Sequence, residues 1–204
     1  MQTQQSTSPS ILRILRDLIP TRTVRQHEHR VIAEIQANKL RRHLRVDDSL
    51  LTTDIVAGLP NLRLAFDPDL PTSGMSFWNG HQWIILLNPT EVEARQRFTL
   101  LHELHHIICH PQNHRLFGST TARTDPAAER MADYFAACAL MPKLYVKRLF
   151  GRGVHQPHQL ADYFGVSTTA MRYRLEQLGL IPRAHRCNAP HKPHRSHSPG
   201  AAIT

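Results

Sequence analysis

With 204 residues, 41% of them hydrophobic, the chain can bury one sizeable core. Its three cysteines, Cys109, Cys138 and Cys187, are odd in number and form no CxxC pair. This excludes a disulfide scaffold or a cysteine-based zinc knuckle and points to a reducing, cytoplasmic setting. The net charge of +9 is uneven: nine Lys/Arg face six acids over residues 1–60, six face eight over 61–142, and ten face two over 143–204. A basic C-terminal third attracts phosphate backbones or acidic partners.

Taken in chain order, residues 1–24 are polar and basic without a sustained period and are expected to form a flexible arm. Arg13, Arg16 and Asp17 interrupt every apolar run there, so this stretch carries neither a signal-peptide core nor a membrane span. Arg25 to Arg45 reads as a helix with an apolar stripe of Val31, Ile32, Ile35 and Leu40. In MSFWNGHQWIILLN (Met75 to Asn88), Asn79-Gly80 separates two apolar runs, a hairpin signal that makes Trp83 to Leu87 a strand. If that strand lies at a sheet edge, it can receive an extended substrate by strand addition.

Pro89 stops the strand, and Thr90 followed by Glu93 spells a capping box, which predicts a helix from Glu91 to Cys109. After a polar loop over 111–124, Asp125-Pro126 reads as N-cap and first helical residue of a helix running to Met141. Pro142 ends it and opens a short helix closed by Gly151 and Gly153. From His158, HQLADYFGVSTTAMRYRLEQLG gives two short helices about a tight turn, Ser167 capping the second and Gly179 ending it. Residues 183–204, rich in Pro, His and Ser and without aromatics, have the composition of a disordered tail.

The chemistry is concentrated in FTLLHELHHIICHP, Phe98 to Pro111. Residues four apart on a helix lie about 40° apart around its axis, so His102 and His106 can aim two imidazoles at one ion. Glu103 then lies close enough to activate water, the H-E-x-x-H arrangement. With 15 His in the chain, the expected number of accidental matches is about 0.04, so the match is informative. His105 points away from that pair, and His110 has no glutamate after His106 to serve it. His114 is expected to be solvated. A catalytic zinc site needs a third protein ligand. Glu129, on the next helix, is the first candidate and Asp125 the second, while Asp133 is placed to accept the free ring N–H of a ligand histidine. Gln112 and Cys109 stand where the metzincin extension requires His and Gly. Tyr134 reads as core rather than as an oxyanion donor.

HELHH, preceded by RQRFT and followed by AERMADYFAACALMP, resembles the ImmA/IrrE family of metallo-endopeptidases over roughly Arg25 to Ile181. The resemblance implies an α+β, zincin-like fold over residues 25–150, mainly helical with a small sheet. It also implies His102, His106 and Glu129 as ligands of zinc, with manganese as second choice, and Glu103 as catalytic base. The family usually has Asn where this chain has Asp133, which keeps an acceptor. The implied activity is limited cleavage of a protein substrate, a helix-turn-helix repressor. LADYFGVSTTAMRYRL, within a segment over 151–182, itself resembles a helix-turn-helix, with Arg172 and Arg174 as candidate contacts to DNA or a partner. The rival reading is therefore a DNA-binding regulator whose metal site is structural. Salt-sensitive retardation of duplex DNA that depends on both arginines would favour it.

Overall fold

A computed structural model describes residues 10–46, 50–118 and 125–183. Among these the chain forms nine α-helices and one three-stranded sheet, an α+β, zincin-like core. No helix among the described residues is long and apolar enough to cross a membrane.

The expected arm is structured from its tenth residue. Ser10 caps helix α1 (Ile11–Arg16), accepting a bond from the Arg13 amide, and Ile11, Leu12 and Leu15 are buried. Ile19 and Val24 follow them into the core. The interrupted apolar run was thus not free chain but one short amphipathic turn plus anchors. Residues 1–9 of the arm, and the tail from 184 onward, lie outside the described residues.

Helix α2 (His29–His43) buries Ile32, Ala33, Gln36, Ala37 and Leu40. Val31 and Ile35, assigned to the stripe from sequence, face outward. The period of 3.6 places the small alanines rather than these two inside, and α2 packs closely on α6, described below.

Helix α3 (Thr53–Ala57) leads into β1 (Leu62–Phe66). Strands β2 (Gly74–Trp78) and β3 (Trp83–Leu87) form the hairpin. Its turn is held by the Asn79 side chain, which accepts bonds from the amides of His81 and Gln82. The sheet order is β1-β3-β2, with β1 parallel and β2 antiparallel to β3. β3 is therefore the central strand and cannot receive a substrate strand; β2 is an edge. Central position also explains why WIILL is apolar on both faces.

Helix α4 (Glu93–Cys109) lies between the sheet and the helices behind it. It starts two residues later than the capping box predicted, because Thr90 is engaged elsewhere. Its amide and hydroxyl both donate to the Asn88 carboxamide oxygen, and Val92 takes the N-cap position without a side-chain bond. At the other end Arg16 donates to the carbonyls of Ile107 and Ile108, which no intrahelical amide satisfies. Gly74 lets β2 approach α4, since a Cβ there would strike the Thr99 methyl and the Leu86 carbonyl.

The polar loop contains a helical turn, α5 (Asn113–Phe117). Helix α6 (Pro126–Leu140) is capped by Asp125, whose carboxylate accepts from the Ala127 amide at 2.7 Å. Helix α7 (Lys143–Gly151) follows Pro142, and α8 (Pro157–Phe164) and α9 (Thr168–Gln177) form the helix-turn-helix-like pair. Gly165 ends α8 at φ 58°, and its carbonyl accepts a bond from the buried Arg97 guanidinium of α4. A Cβ at this position would meet that guanidinium as well as a strained dihedral. Gly165→Ala is expected to cost about 1–3 kcal/mol, read as a lower midpoint in urea unfolding.

Candidate metal centre

Helix α4 presents its motif residues in two directions. His105 turns inward, fully buried, with its Nε2 3.3 Å from the Gln36 carboxamide oxygen and its ring tilted against Phe135. Burial, and then repulsion from His106 and His102, push its pKa well below the ordinary imidazole value, so it is neutral. His110 is exposed and meets the Trp83 ring edge-on. His114 is exposed. Asp125 is spent on its helix cap.

His102 and Glu103 line a cleft, and His106 lies beside His102. The Nε2 atoms of His102 and His106 are 3.0 Å apart, and the two carboxylate oxygens of Glu129 lie 3.2 Å from them, one from each ring. These three side chains are a group, among the described residues, whose ligand atoms converge closely enough for one ion. A tetrahedral ion with bonds of about 2.0 Å spaces its ligand atoms by roughly 3.3 Å, so the donor set fits zinc. The His102 Nδ1–H donates to Asp133 at 2.9 Å, which leaves the Nε2 lone pair directed at the convergence point. Asp133 sits one turn beyond Glu129 on α6, so a single helix supplies both carboxylates.

The electrostatics call for a cation. Burial by itself would lower the His102 pKa, but the Asp133 hydrogen bond and the charges of Asp133, Glu129 and Glu103 outweigh it and raise the pKa. Glu129 is raised by burial, and although the His102 charge opposes this, the carboxylates of Asp133 and Glu103 add to the rise. Three carboxylates crowd two imidazoles, and a divalent ion relieves the excess. Asp133→Ala is expected to weaken zinc about 10- to 100-fold while the fold persists, as measured by competition against a chromogenic chelator.

Sequence reading missed one residue here. Ser76, buried on β2, donates its hydroxyl to Glu103 Oε2 at 2.7 Å and so orients the carboxylate. A polar residue at the inward register of an apolar strand was its only signal.

Of the two arginines expected to meet DNA or a partner, Arg172 is exposed. Arg174 is a correction: it is 1% exposed, donates to the Met141 carbonyl at 3.0 Å and stacks over the Tyr134 ring. It shares the inner face of α9 with Met171 and Leu175 and ties α9 to the end of α6. Tyr134 is half-buried, and its hydroxyl donates to Glu34 at 3.3 Å.

Comparison with known proteins places this geometry. The family model of the IrrE N-terminal-like domain matches residues 67–176, which contain both motif histidines, Glu103, Glu129 and Asp133. The chain is 30% identical over 151 residues to the radiation response metalloprotease IrrE of Deinococcus radiodurans, a match covering 71% of this chain and 45% of that relative. The chain thus aligns with less than half of the relative's length. Among solved structures, a Mycobacterium tuberculosis transcriptional regulator shares the fold with a TM-score of 0.54 at 15% identity, over 82% of this chain and 52% of that one. The converging His102, His106 and Glu129 therefore lie within the matched region, and the chain belongs to the family of the IrrE N-terminal-like domain.

Proposed function

We propose that the protein is a zinc-dependent endopeptidase of regulatory type, acting in the cytoplasm on a helix-turn-helix transcriptional repressor. The convergence of His102, His106 and Glu129 within 4.8 Å, with Glu103 beside them in an open cleft, carries this reading. Zinc fits the two-imidazole, one-carboxylate donor set better than manganese, which favours oxygen ligands.

A bound zinc ion supplies the positive charge that polarises a peptide carbonyl and acidifies water. Glu103 accepts the proton as the water oxygen bonds to the carbonyl carbon, then returns it to the amide nitrogen as the C–N bond breaks. Ser76 holds Glu103 in place for both transfers, and Asp133 keeps His102 in its ligating tautomer. The outer edge of β2, whose approach Ser73 and Gly74 line, suits an extended peptide added as a further strand.

Incubation of the zinc-loaded chain with repressors encoded near it, followed by intact-mass analysis, should reveal one discrete cut. Absence of any cut by a chain that retains zinc, across all such repressors, would sink the reading. The DNA-binding alternative retains the basic C-terminal third and exposed Arg172 but loses Arg174 to the core. Salt-sensitive retardation of duplex DNA that Arg172→Glu abolishes would favour it instead.

A further inference from the structure

The cleft over the metal-binding triad has a volume of about 1110 Å³, far more than one ion and one water require. Its walls come from α2, α4, α6, the start of β2 and α9. On α9, Thr169, Tyr173 and Gln177 recur at intervals of four and line this cleft, with the buried Arg174 at its base, while Met171 and Leu175 fill the core behind them. The helix that a DNA-reading module would lay in a groove here lends one side to the cleft of the metal-binding triad.

The charge of the lining is equally informative. Four arginines, Arg30, Arg95, Arg130 and the buried Arg174, line it against four carboxylates, Glu91, Glu103, Glu129 and Asp133. Three of those carboxylates surround the ion position, and the fourth, Glu91, accepts a bond from Ser73 at 2.9 Å. With a divalent ion in place and the motif histidines neutral, the lining carries a net charge of +2. Arg30, Arg95 and Arg130 are exposed and come from three different helices, so they surround the cleft rather than form one face. Val92, 72% exposed, and Tyr173, 49% exposed, add apolar surface to the lining from α4's cap and from α9.

We infer that α9 is the specificity wall of this cleft, and that the cleft takes an extended acidic peptide segment. Arg95 and Arg130 hold the carboxylates of that segment, and Tyr173 packs on an apolar side chain between them. The inference rests on the peptidase reading for its biological meaning, but binding tests it separately. Guanidinium groups favour carboxylates by paired hydrogen bonds. A positively charged cleft also speeds encounter with an acidic chain, and increasingly so as salt is lowered.

The test uses the full chain carrying Glu103→Gln, loaded with zinc, and two fluorescein-labelled decapeptide pools. The pools share central apolar residues and differ only in acidic or basic flanks. Fluorescence anisotropy should show the acidic pool binding roughly ten-fold more tightly. Arg95→Glu with Arg130→Glu should reverse this preference, and Tyr173→Ala should weaken acidic binding roughly ten-fold while Tyr173→Phe retains it. Arg172→Glu, exposed on α9 but outside the cleft lining, should change nothing. Equal binding of the two pools, or an Arg172→Glu effect as large as that of the double reversal, would overturn the inference. Hydrolysis of the same pools by the parent chain separates the two readings. Acid-selective binding without any hydrolysis removes the peptidase and leaves the cleft assignment standing; hydrolysis without charge selection removes the cleft assignment alone.

Discussion

Glu103→Gln is expected to lower peptide hydrolysis on the order of a thousand-fold while leaving zinc content and thermal midpoint unchanged. The substitution keeps the size of the side chain and an oxygen that can accept the Ser76 hydroxyl bond, 2.7 Å in the parent. It removes only the ability to take and return a proton, an effect typically worth about 10²–10⁴ in rate. Because Glu103 is not one of the three converging groups, metal affinity should not follow the loss. Steady-state kinetics on the cleaved substrate, with metal analysis of the same sample, checks both halves. Hydrolysis at the parental rate would show that another group moves the proton.

Phe135→Ala should destabilise the chain by about 3–5 kcal/mol, the usual cost of emptying an aromatic site in a packed interior. Phe135 is fully buried, belongs to the central cluster and lies against the His105 ring with centroids 4.8 Å apart. For a chain of this size the thermal midpoint should fall by on the order of 10 °C, measured on the metal-stripped protein by circular dichroism. The cavity would open between α4 and α6, the helices that carry the histidine pair and Glu129. Zinc affinity should therefore weaken too, although no candidate ligand is touched. A loss below 1 kcal/mol would mean that the neighbours collapse into the space.

The elements most legible in sequence were those specified by neighbouring residues. The hairpin followed from Asn79-Gly80, α6 from Asp125-Pro126, and the α8–α9 turn from Gly165 and Ser167, all short-range chemistry. β1 was not read from sequence: LRLAF ends in three apolar residues without alternation, and its pairing with β3 makes it a strand. The start of α4 was misjudged because Asn88, outside the capping box, takes the Thr90 hydroxyl. α1 was misjudged because six residues hold a helix only when a core accepts their apolar side.

By itself the sequence determined the relation of His102, Glu103 and His106, since three residues at fixed spacing on one helix have a single mutual geometry. It also determined that Asp133 stands one turn from Glu129. Only the tertiary structure decided that α6 crosses α4 so that Glu129 reaches both imidazoles at 3.2 Å. The packing likewise placed Ser76 behind Glu103, made β3 central rather than an edge, and turned Arg174 inward while α9 faced the cleft. Each of these depends on which surfaces meet between elements far apart in the chain. The helix pattern specifies a stripe to be buried, and the stripe does not name its partner.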